Sequence, residues 1–85
     1  MTGRHPARIA AEVGRVIKVM PTEVREELRL ALERAEIDPW SYPQADRYDT
    51  DDTVRVIVLN EVILHFAIVP VGEPPHLWVF AAALL

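Results

Sequence analysis

The apolar residues of this chain follow one period in its first half and another in its second. From Ala7 to Met20, Ile9, Val13, Val16, Ile17 and Met20 recur every three or four residues, with Arg8, Glu12, Arg15 and Lys18 between them. That spacing predicts an amphipathic helix. Pro21 or Thr22 opens a second one: Glu23, Glu26 and Glu27 fall in its first turns, where negative charge suits the helix dipole, and Val24, Leu28, Ala31, Leu32 and Ala35 form its stripe. Pro39 disfavours helical geometry in the residue before it, so this helix ends by Asp38. The result is a helical hairpin over about residues 7–37.

Residues 38–53 have no sustained period and hold Pro39, Pro43 and the acidic Asp49, Asp51 and Asp52, which predicts one long connection. Val54 to Leu59 and Val62 to Val69 are rich in β-branched residues and flank Asn60-Glu61, the length of a two-residue hairpin loop. Pro70 to Pro75 makes the next reversal, and Leu77 to Leu85 supplies a third strand, although Ala81 to Ala83 is poor strand material. The chain therefore reads as a single α+β domain, residues 1–85, with the helical hairpin packed on a three-stranded antiparallel meander.

With Asn60 and Glu61 as the turn, Leu59 opposes Val62, Ile57 opposes Leu64 and Arg55 opposes Phe66, and Ile68, Trp78, Phe80 and Leu84 join them on a bulky face. The other face takes Val54, Val56, Val58, Ile63, His65, Ala67 and Val69, joined by Leu77, Val79, Ala81, Ala83 and Leu85 if the third strand alternates without interruption. Two short helices cover one face only. At roughly 50 Å² each, twelve such side chains would leave on the order of 600 Å² bare, at the upper end for a monomer. Covering it would contribute about 15 kcal/mol gross, enough to offset the cost of association. Val54, Val56, Val58, Ile63, Ala67, Val69 and Val79 are thus the candidate partner-binding residues.

Composition narrows the function classes. Nine Lys+Arg against 13 Asp+Glu give a net charge of −4, the wrong sign for a protein that must neutralise phosphates, so nucleic acid is disfavoured as a partner. Hydrophobic residues make up 51% of the chain, which excludes a disordered segment. There is no cysteine, and Met1 to Pro6 is polar, so a cytoplasmic protein without disulfides or a secretory leader is expected. The apolar block at 54–69 is interrupted by Arg55, Asn60, Glu61 and His65, so no membrane span is expected.

The stretches "VMPTEVREELRLALERAEIDPW" and "VRVIVLNEVILHFAIV" resemble the RelE/ParE toxin superfamily of bacterial toxin-antitoxin systems from about Val16 onward: a Leu-Pro-like opening of the second helix, an Asp-Pro ending and a central hairpin. The resemblance implies a toxin fold that binds a cognate antitoxin, with RNA cleavage as the associated chemistry. Where an Arg commonly sits near the start of that family's second central strand, this chain has Val62 and Ile63, and Arg55 is the only Lys or Arg on the predicted strands. The alternative is a non-enzymatic interaction module that homodimerises through the apolar sheet face.

His65 and Arg55 are the candidate catalytic residues: a proton donor or acceptor and a cation for the negative charge of a phosphoryl transition state, with Arg47 or Tyr48 entering from the loop. A lone histidine on a valine-lined face is more often a packing residue. His5, His65 and His76 lack metal-ligand spacing, and "DTDDT" at Asp49 to Thr53 lacks the glycine and distal glutamate of a calcium loop, so neither metal nor cofactor is expected. Trp40 and Tyr42 read as lids over one end of the core. Arg25, Arg29 and Arg34 on the second helix are interleaved with Glu26, Glu27, Glu33 and Glu36, as on a solvated face.

Overall fold

The computed structural model describes residues 5–45, 52–69 and 75–85. Along the chain run β1 (Ala7–Ile9), α1 (Ala11–Lys18), α2 (Thr22–Ile37), a 3-10 turn (Pro39–Ser41), β2 (Val54–Val58), β3 (Val62–Val69) and β4 (His76–Leu84). The class is α+β, with two helices against one four-stranded sheet of order β1-β4-β3-β2.

The meander β2-β3-β4 is antiparallel, with Ile57 opposite Leu64 and Arg55 opposite Phe66, the register expected from an Asn60-Glu61 turn. The Leu59 N–H closes that turn on the Val62 carbonyl at 2.9 Å. The expected three-stranded sheet is corrected by β1, which runs parallel to β4 and pairs Ala7, Arg8 and Ile9 with Leu77, Trp78 and Val79. A helix beginning at Ala7 would leave the outer groups of β4 unpaired. Instead the extended chain after Pro6 satisfies them: Leu77 N–H donates to the Pro6 carbonyl at 3.0 Å, and Ala10 N–H donates to the Val79 carbonyl at 2.9 Å. Ile9, expected in the helical stripe, is consequently an exposed strand residue. Ala10 keeps an extended backbone, and the helix starts one residue later.

Both helices pack on one side of the sheet. Val13, Met20, Val24, Leu28, Ala31, Leu32 and Ala35 meet Ile57, Val62, Leu64, Phe66, Ile68, Leu77 and Val79 in a single core. Phe66, at its centre, takes the edge of the Tyr42 ring at 6.1 Å between centroids. Tyr42 in turn donates its hydroxyl to the Ala31 carbonyl at 3.1 Å, so the segment after α2 closes the core end beside β2.

Both sheet edges are partly protected. Along β2, the Ala45 N–H donates to the Val54 carbonyl at 3.1 Å and the Val56 N–H to the Pro43 carbonyl at 3.0 Å. At the other edge, the Ala7 N–H donates to Glu36 Oε2 at 2.8 Å, and the His5 N–H donates to the Glu36 carbonyl at 2.7 Å. The last turn of α2 thereby holds β1 against the sheet.

Candidate functional site: the open face of the sheet

Alternation along β3 puts Val62, Leu64, Phe66 and Ile68 into the core and Ile63, His65, Ala67 and Val69 on the far side. The register then assembles that far face in rows across the strands. Val58, Ile63 and Ala83 form one row, Val56, His65 and Ala81 the next, and Val54, Ala67, Trp78 and Arg8 of β1 a third, with Val69 and His76 beyond it. Among the described residues no helix or strand crosses this face. Only the segment Pro43 to Ala45 stands at its rim, where it helps line an open hollow of about 690 Å³ floored by Val56, Val58, Ile63, His65, Ala81 and Ala83.

Uninterrupted alternation fails in β4. His65 pairs with Ala81 but Phe66 pairs with Val79, so Phe80 is an extra residue, a β-bulge at which the strand changes phase. Ala81 and Ala83 therefore lie on the open face as expected, whereas Leu77 and Val79 lie in the core. Val79, expected to touch a partner, is fully buried under the helices. Trp78 and Phe80 take the places expected for Leu77 and Val79: Trp78 is 42% exposed, and the Phe80 ring lies 6.3 Å from that of His65. Val54 belongs to the open face by register but is buried where Ala45 hydrogen-bonds its carbonyl, so it is not available to a partner either. Of the candidate partner-binding residues, Val56, Val58, Ile63, Ala67 and Val69 remain on the surface, with Val58 the most exposed at 62%.

The candidate catalytic pair is not brought together. Arg55 lies opposite Phe66 and His65 opposite Val56, so adjacent strand positions send the two side chains to opposite sides of the sheet. Arg55 has a structural role: its Nε donates to the Asp52 carbonyl at 2.9 Å and its Nη1 to the Tyr42 carbonyl at 3.1 Å. Its guanidinium carbon sits 4.9 Å from the centre of the Trp40 ring, a cation-π contact. Arg47, Tyr48 and the acidic Asp49 to Asp51 lie outside the described residues.

The rest of the described surface offers less. A smaller groove of about 350 Å³ between β1 and α2 is lined by Ile9, Ile17, Leu28 and Leu32, with Arg25, Arg29, Glu33 and Glu36 at its rim. Arg29 is paired on its own helix, with Glu26 one turn before and with Glu33 at 2.7 Å. The hydrogen bond and charge of Arg29 hold the Glu26 carboxyl below its ordinary range. Among the described residues no three His, Asp or Glu side chains are grouped to hold a metal ion, and no helix is long and apolar enough to cross a membrane.

Comparison with protein-family models, with curated proteins and with solved structures finds no match. Sequence reasoning missed Trp78 and Phe80 as surface residues because the bulge has no marker of its own: "HLWVFAAALL" is apolar in both phases, and no glycine announces the irregularity.

Proposed function

We propose that this protein is a non-enzymatic binding module that docks another polypeptide on the open face of its sheet. The observation that carries the reading is the composition of that face: Val56, Val58, Ile63, Ala67, Val69, Trp78, Phe80, Ala81 and Ala83 make up its expanse, with His65 among them and with Arg8 and His76 as the titratable side chains at its edge. Such a patch, on the order of 400 Å² of apolar surface, is of the size that on monomers is often functional. Its one arginine, Arg8, stands at the outer edge on β1 beside Trp78, and Arg55 is engaged on the other side of the sheet. Photo-crosslinking from position 78 tests the reading. An adduct formed from position 78 and not from a probe at position 30 on α2 supports docking there, and one formed only from position 30 would contradict it.

A second reading is favoured by the element order. The helix pair broken at Pro21 and ended before Pro39, followed by a meander, supports a RelE/ParE-like toxin fold whose docked partner is a cognate antitoxin. Induced expression in a bacterial host, with and without the product of the adjacent reading frame, tests this: arrested growth rescued by the neighbour supports it, and unaffected growth speaks against it.

A further inference from the structure

This inference rests on the reading of the open face as a docking surface and names its occupant. We propose a second copy of this chain, packed sheet on sheet about a two-fold axis that crosses the strands near His65 and Ala81. Trp78 of each copy then enters the hollow around Ala83 of the other.

The face carries no carboxylate or lysine and one arginine, Arg8, at its outer edge beside Trp78; across β2, β3 and β4 it is apolar but for His65 and His76, and the best complement of that expanse is another surface of the same kind. Two-fold association needs one patch that is complementary to itself.

The face has a raised end and a sunken end. Trp78 stands in the row of Ala67, and the hollow lies over the rows of His65 and Ile63, where β4 lines it with alanines; the Phe80 ring stands between the two ends, beside His65. Successive rows are about 7 Å apart along the strands. An axis across the strands at the middle row exchanges the two ends while keeping β4 over β4, so each indole meets the small side chains of the other copy. An axis along the strands would set Trp78 against the row of Ala67 and leave the two hollows facing each other unfilled. Sheets packed in this way lie roughly 10 Å apart, a gap that interdigitating Val, Ile and Trp side chains fill.

Burying on the order of 400 Å² of apolar surface on each copy, with the polar rim at Gln44 and His76 added, approaches the roughly 1,200 Å² total at which stable interfaces begin. Edge-to-edge pairing competes poorly. β2 already pairs with Pro43 to Ala45, and β1 is three residues long with its first N–H held by Glu36.

Sedimentation of the full chain at about 100 µM tests the proposal within the ordinary affinity range of such interfaces. Expected is a species of twice the 9.6 kDa chain mass. Val58→Asp should give a monomer with an unchanged circular dichroism spectrum, and Trp78→Ala should weaken association by about 30-fold or more, as for a central aromatic anchor. Should Val58→Asp fail to fold, Ala83→Arg, at an exposed position, makes the same test. In Trp40→Phe, emission from the remaining Trp78 should shift to the blue as concentration rises. A monomeric wild type, or a dimer that Val58→Asp and Ala83→Arg both leave as tight as before, overturns the second-copy inference. A monomer that binds a hydrophobic dye through this face keeps the docking reading with a different occupant; a monomer that binds none overturns both.

Discussion

Arg55 and His65 occupy neighbouring strands one register step apart, and their side chains stand on opposite faces of the sheet. A single phosphodiester cannot touch both. Substitution should therefore separate them by stability rather than by activity. Arg55→Ala removes the ties to the Asp52 and Tyr42 carbonyls and the contact with Trp40, and should cost about 1–3 kcal/mol in chemical denaturation. His65→Ala should leave the fold intact, and neither variant should change RNA turnover, which is expected to be indistinguishable from buffer.

Phe66 is the centre of the core, fully buried between the helices and the Tyr42 ring. Phe66→Ala should cost about 3–5 kcal/mol, most of the stability available to a domain of this size, and Phe66→Leu markedly less. Urea midpoints of the two variants measure the difference.

Glu36 does at the sheet edge what a fifth strand would do, accepting the outward N–H of Ala7. Glu36→Gln keeps an acceptor oxygen and should be nearly neutral, whereas Glu36→Leu leaves that N–H without its partner. Hydrogen exchange at Ala7 and Leu77 should then accelerate by about tenfold, corresponding to the ~1.4 kcal/mol scale of one lost hydrogen bond, with the β3 amides unaffected. Uniform acceleration across the sheet would show that β1 does not open separately.

Glu26 is held below the ordinary carboxylate range by Arg29, so whatever it contributes to stability is present above that range and lost as pH falls through the lowered value. Both partners are on the open surface of α2, where such pairs contribute little. Glu26→Gln should accordingly leave the thermal midpoint unchanged at neutral pH and flatten only the acid limb of the pH profile.

The elements that could be read from the chain are those in which pattern and tertiary structure agree. Val24, Leu28, Ala31, Leu32 and Ala35 mark α2, Pro39 ends it, and the alternation around Asn60-Glu61 fixes the β2-β3 register residue by residue. β1 was hidden because Ala7 to Ile9 fits a helical stripe, and the pull of an unpaired β4 edge is not a local property. The site was legible as a face but not in its membership. The bulge at Phe80 returns Leu77 and Val79 to the core and brings out Trp78, the side chain on which recognition is proposed to turn. Burial of Val54 depends on the returning segment at Ala45, again a contact distant in sequence.

The most direct test of docking on the open face is carbene footprinting of the wild-type protein as concentration rises. Expected is protection of Val58, Ile63, Trp78 and Ala83 together, while Leu30 and Val19, exposed on the helical side, stay labelled throughout. Constant labelling of those four sheet residues at every concentration and with every candidate partner, or protection of Leu30 and Val19 instead, would contradict it.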